Sequence, residues 1–167
     1  LMNEAQLQVE ARRFEDAVAT LQRLYETSGR HIAALRLELK AQQGRKDWDE
    51  VIRLARQLQK RSALLPEVAR ETIGQAHREA LKRRAGDTRA LLAYARQIPA
   101  AEMNPRTAYA VAEALRDQGA PAEALRTLEI HLGKEWSSHL VRLYGLIDDG
   151  DATPHIAQAE QWLLEHS

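Results

Sequence analysis

Cysteine is absent from the 167 residues. That excludes disulfides, a thiol nucleophile and any zinc or iron–sulfur centre held by thiolates. It also fits a reducing compartment. Aromatic residues are scarce, at 5%, so the apolar content is mostly Ala and Leu. Apolar runs are only a few residues long, and no segment reads as a transmembrane helix or a signal peptide. Strand-like alternation, low complexity and flexible linkers are missing too. An excess of one charge is also lacking, since 24 Lys and Arg balance 24 Asp and Glu. What remains abundant is Ala, Leu, Glu, Arg and Gln, all good helix formers. The composition therefore predicts an all-α chain, long enough to bury a sizeable core as one domain.

The clearest local signal is Asp47-Trp48-Asp49-Glu50-Val51-Ile52 with Ala55 and Leu58. Asp47 and Glu50 form a capping pair in which Asp47 covers free N–H groups and Glu50 reaches back. The apolar residues share one helical face. Phe14-Glu15-Asp16-Ala17-Val18 with Leu21 and Leu24 echoes it, and Phe14 and Trp48 stand 34 residues apart. That is the period of tetratricopeptide (TPR) repeats. A third echo runs from Ala120 to Leu128. The expected fold is a TPR-like helical-hairpin solenoid of about ten antiparallel helices, forming one superhelical domain over residues 1–167.

Boundaries follow from punctuation. Ser28-Gly29 ends the second helix, Gly44 closes the third, and Pro66 separates the fourth from a long fifth helix. Asp87 or Thr88 caps the sixth. Asn104-Pro105 and Thr153-Pro154 each pair a capping side chain with proline at the first helical position. Ala112 and Ala124 are small where two helices of a hairpin must approach closely. Ser137 caps a short helix ended by Gly145. The repeat slots place Leu1 inside the first helix of a repeat, so the chain is expected to be a fragment of a longer protein.

Catalytic motifs do not assemble. Each serine lies in a turn or at a terminus, without a G-x-S-x-G context. His31, His77, His131, His139, His155 and His166 show neither H-x-x-x-H nor H-E-x-x-H spacing and read as exposed surface residues. Asp148–Asp151 is too short for a calcium loop and reads as a solvated turn. Trp48 and Trp162 fall on apolar helix faces and are expected in the core. Charge is uneven, however: residues 30–96 hold 16 Lys and Arg against 8 Asp and Glu, a net of +8, and the remainder carries −8. The first helix of each TPR hairpin lines the concave groove. Arg36 and Lys40 are expected to point into it, with Arg70, Arg78 and Lys82 continuing the track. Arg53, Arg56, Lys60 and Arg61 belong to a second helix and are expected outside. Such a groove suits an acidic partner: a carboxylate-bearing peptide, porphyrin propionates or anionic lipid. Nucleic acid is disfavoured, because no aromatics are interleaved with the basic residues.

A more specific pattern lies in the C-terminal half. Trp136-x3-Leu140-Val141-x-Leu143-Tyr144-Gly145 precedes Ala159-Glu160-x-Trp162-Leu163-x2-His166. Tyr109-Ala110, Ala114-Leu115, Gly119, Ala124 and Leu132 come before it. Lys46-Asp47-Trp48 and Lys60-Arg61 with Leu64 lie upstream. In these residues the chain resembles the HemY family of proteobacterial TPR proteins, named for the late, protohaem-forming steps of haem synthesis. The resemblance covers nearly all of the chain. Tyr94 departs from it, standing where a tryptophan is expected ahead of Ile98-Pro99. The resemblance implies a parent with membrane-spanning helices before this segment and one more repeat after His166. The repeats would face the cytoplasm at the bacterial inner membrane. It further implies a non-enzymatic scaffold whose protein partners are late haem-biosynthesis enzymes. The alternative expectation, beside the resemblance, is a haem or porphyrin carrier using the basic groove, sensitive to substitution of His77 or His131 where ligation is axial. The resemblance carries over no resident cofactor, metal or site residue. An unrelated protoporphyrinogen oxidase shares the family name, but this chain has neither G-x-G-x-x-G nor a βαβ pattern.

Overall fold

Helix follows helix along the chain, as the periodicity requires. The computed structural model describes residues 1–148 and 152–166, with side chains in the last helix from Ile156 onward. Among these lie α1 (Met2–Glu10), α2 (Phe14–Ser28), α3 (Ile32–Arg45), α4 (Trp48–Lys60), α5 (Pro66–Lys82), α6 (Thr88–Gln97), α7 (Pro105–Asp117), α8 (Pro121–Leu132), α9 (Ser138–Leu146) and α10 (Ala152–Glu165). A 3-10 turn spans Ala100–Glu102. The expected all-α fold of ten helices is the fold observed. The chain divides into two compact units, residues 1–76 and 77–167, with the division inside α5. Asp149–Asp151, Ser167 and the side chains of Thr153, Pro154 and His155 lie outside the described residues, so the acidic-turn and Thr153 cap readings go undescribed.

In the first unit, α1 pairs with α2, α3 pairs with α4, and α3 packs on both α1 and α2. The second unit repeats this: α7 pairs with α8, α9 pairs with α10, and α9 packs on both α7 and α8. A new first helix seated against both helices of the preceding hairpin is TPR-like packing. The 34-residue period is equally visible in the backbone. Phe14 and Trp48 are the first residues of α2 and α4. The preceding turns carry left-handed residues at Arg12 (φ 61°) and Lys46 (φ 60°). In them the Arg13 N–H donates to Gln8 C=O and the Asp47 N–H to Gln42 C=O, at 2.8 and 3.1 Å. Both are Schellman closures, which satisfy carbonyls the helix end leaves open.

Ala5, Leu21, Ala34 and Leu37 form one core cluster of the first unit. Leu35, Trp48, Val51, Leu54 and Leu58 lie in the other. In the second unit a larger core gathers Leu91, Val111, Leu115, Leu128, Leu140 and Tyr144. Ala112 and Ala124 are fully buried there, where small side chains let α7 and α8 close up. Trp162 packs on that core, edge-on to Tyr144 with ring centroids 5.2 Å apart.

Three local expectations change. Gly44 does not close α3, which runs one residue further to a left-handed cap at Lys46. A Cβ at position 44 would instead run into the Phe14 ring, so glycine is there for a close approach. Gly145 likewise lies inside α9 rather than ending it. Asp47 caps α4 by accepting from the Glu50 N–H at 3.4 Å, but the Glu50 carboxylate pairs with Arg53 instead of reaching back. Asn104, Asp87 and Ser137 cap α7, α6 and α9 as their residue types predict.

Candidate functional site

Of the five predicted groove cations, three are engaged within the protein. Arg36 is exposed on α3, but its Nε and Nη2 donate to the Ala63 carbonyl at 3.0 and 2.7 Å. The guanidinium thus holds the turn after α4 against α3. Arg78 donates to Thr107 Oγ1 at 3.3 Å, and Lys82 pairs with Glu79 at 3.1 Å. Lys40 and Arg70 are exposed and have no hydrogen-bond or ion-pair partner among the described residues. Beside Arg36 on α3 sits a fully buried carboxylate, Glu38. It accepts from the Tyr25 hydroxyl at 2.9 Å and from Gln42 Nε2 at 3.3 Å, with Arg30 at 3.8 Å. Burial, and then the neighbouring Glu38 charge, push the Tyr25 phenol well above its ordinary range.

Two histidines read as exposed are buried instead. His77, 3% exposed, bonds through Nδ1 to the Tyr94 hydroxyl at 2.8 Å and through Nε2 to Glu102 Oε1 at 2.7 Å. A carboxylate only accepts, so Nε2 carries a proton. Arg84 lies over the Tyr94 ring, 4.3 Å from its centroid. With both ring nitrogens bonded, His77 offers no lone pair to an iron. This corrects its candidacy as an axial ligand.

His131, 6% exposed, differs: its Nε2 is buried and makes no hydrogen bond. Glu135 Oε2 stands 3.9 Å away, beyond hydrogen-bond reach. Burial lowers the His131 pKa from its ordinary 6.5, Glu135 raises it and Lys134 lowers it further. The imidazole is therefore neutral at pH 7.

His131 lines an open cleft of about 480 Å³ in the second unit. Leu92, Ile98, Met103, Ala108 and Val111 supply apolar wall from α6, α7 and the segment between them. From α8 come Ile130 and Thr127, and around them stand Arg96, Arg126, Lys134, Glu123 and Glu135. Arg126 faces Glu123 at 3.9 Å. Arg96 and Lys134 are exposed and without a partner among the described residues. A preformed apolar hollow with a few polar groups converging on it is the usual form of a ligand site.

The solved structure of MamA MSR-1 C2 is similar to this chain. The two are 18% identical with a TM-score of 0.41, over 99% of this chain and 95% of that one. No protein-family model and no curated protein matches the chain.

Sequence reasoning passed over the cleft. A partial signal was present on α8, where Thr127 and Ile130 lie one turn apart on a face the core does not use. Ile130 is 58% exposed there. Among the described residues no group of three or more His, Asp or Glu side chains is placed to hold a metal ion. No helix of the described residues is long and apolar enough to cross a membrane.

Proposed function

We propose that the chain is a non-enzymatic, TPR-like interaction scaffold with protein partners. In line with its HemY-like residues, those partners are late haem-pathway enzymes. They would be gathered at the bacterial inner membrane with this domain on the cytoplasmic side. The observation that carries the reading is the pair Lys40 and Arg70, exposed cations with no partner among the described residues, on helices held by packed cores. Rigid helices present such charges without an ordering cost on binding, and unpaired cations suit acidic partner segments. The test is affinity capture from a detergent-solubilised bacterial extract, with bound proteins identified by mass. Wild type is compared with K40E/R70E. Arg36 is left intact, because reversing it would break the bracket to Ala63. Enrichment of haem-pathway enzymes by wild type alone is the expected result. Equal recovery by both baits moves the face elsewhere, and recovery of no such enzyme refutes the reading.

Haem or porphyrin carriage is the second reading, supported by the unpartnered Nε2 of His131. A neutral, buried imidazole with an unused nitrogen is the form that ligates iron. It predicts a saturable shift of the haem absorbance band that His131→Ala removes and His77→Ala leaves. A featureless titration refutes it.

A further inference from the structure

The cleft between α6, α7 and α8 is a site in its own right, and it does not depend on the scaffold reading. We infer that it binds an aliphatic carboxylate, the hydrocarbon body lying against Leu92, Ile98, Met103 and Val111 and the acid group meeting Arg96, Lys134 and the His131 Nε2.

Shape and lining point to the body. The hollow, of about 480 Å³, falls within the roughly 300–1,000 Å³ of small-molecule sites. Its apolar lining is aliphatic or thioether throughout, with no Phe, Tyr or Trp. Such a wall fits a flexible chain, and Met103 can adapt to it. A flat aromatic ligand would find no benzene or indole ring to stack on.

Charge points to the head group. Arg126 is set against Glu123, which leaves Arg96 and Lys134 as cations against Glu135. Glu135 is 62% exposed at its side chain and can swing into water. An incoming carboxylate gains two cations and, with the imidazole proton on Nε2, accepts the hydrogen bond that His131 now lacks. Leaving a buried polar atom unpaired is costly, so a ligand that satisfies Nε2 offsets that cost on binding. A cationic head group would meet Arg96 and Lys134 with the wrong sign. A neutral one would satisfy Nε2 alone.

Calorimetric titration with three probes that share a tail separates these cases. Decanoate, decanol and decyltrimethylammonium are each titrated below micelle-forming concentration into the whole chain. Decanoate is expected to bind saturably at one per chain. The other two should bind at least about tenfold more weakly, the scale of a charge-assisted contact. In R96E/K134E decanoate affinity should fall by about tenfold or more, with circular dichroism and melting temperature unchanged. Both substitutions are at exposed positions. Ala100, exposed at the cleft edge, provides a second variant: A100W should block uptake without touching any charge. Equal binding of the decyl ammonium probe, or full decanoate affinity in R96E/K134E, overturns the proposal. Uptake of protoporphyrin that His131→Ala abolishes, with no decanoate uptake, also overturns it, in favour of the porphyrin reading. A concentration-dependent dimer that A100W disperses, with no decanoate uptake, reassigns the cleft to a second copy of the chain.

Discussion

Individual residues carry strain that the repeat pattern does not reveal. Among the described residues, four helix ends close on left-handed residues in the same Schellman arrangement, one of them glycine, Gly119; Arg12, Lys46 and Ser62 are not. A side chain in that region costs about 1–2 kcal/mol. Ser62→Gly should therefore raise stability by about 0.5–1 kcal/mol, and Gly119→Ala should lower it by about 1 kcal/mol. Denaturant melts of the two variants check the signs; the reverse pair, a loss for Ser62→Gly and a gain for Gly119→Ala, would show that loop entropy, not φ, decides. Gly44 tests a different constraint. Alanine there gains about 1 kcal/mol of helix propensity but drives a methyl into the Phe14 ring, and overpacking costs about 1–3 kcal/mol. Net destabilisation is expected for Gly44→Ala, with Phe14→Leu relieving it in the double variant. His131 adds a pH dependence. Its folded pKa is depressed below 6.5 chiefly by burial, so the unfolded chain binds the proton more readily. The contribution is complete above about pH 6.5 and is lost as pH falls through the folded value. Melting temperature should drop more steeply between pH 7 and pH 5 in wild type than in His131→Gln. Parallel curves would contradict the assignment.

At the scale of the element, legibility divides by the range of the interaction. Caps and starts are local and could be read directly: Asn104 accepts from the Thr107 N–H at 2.8 Å, as an asparagine before proline should. Asn104→Ala is expected to cost about 1 kcal/mol, seen as a lower melting temperature; no change would mean that packing alone holds α7. The 34-residue period was legible for the same reason, since Phe14 and Trp48 each open a second helix. What failed was set by partners distant in sequence. Arg36 is exposed at a groove slot by spacing, yet its guanidinium is claimed by Ala63, 27 residues on. Glu50 is the local exception: it satisfies the capping pattern, yet Arg53, one helical turn on, takes its carboxylate. His77 looks like any polar residue on α5 until Tyr94 and Glu102 close on it. Gly44 stands where a helix stop belongs, but a ring from another helix explains it. The cleft is a deeper case, because its walls come from α6, α7, α8 and the segment after α6. No single stripe announces it; only the exposed Ile130 hints at a second apolar face on α8.

Across the whole molecule the deciding quantity is charge distribution. The chain is neutral near pH 7, with a pI of about 7.2, so net repulsion between molecules vanishes there. Residues 30–96 carry +8 and the rest −8. At low ionic strength, oppositely charged regions of two molecules should therefore attract. Exposed Leu65, Leu146 and Leu164 offer a competing, apolar route to the same association. Salt tells the two apart. Screening shortens electrostatic reach from roughly 30 Å at 0.01 M to 10 Å at 0.1 M, while excluded salts strengthen apolar contact. Light scattering should show the strongest attraction near pH 7 in low salt, relieved by sodium chloride and by moving to pH 5 or 9. If sodium sulfate and sodium chloride both deepen the attraction, the leucines drive it and the charge segregation has no colloidal consequence. If chloride relieves it, the same segregation is available to steer an acidic partner toward Lys40 and Arg70, and the association rate of that partner must then fall with ionic strength.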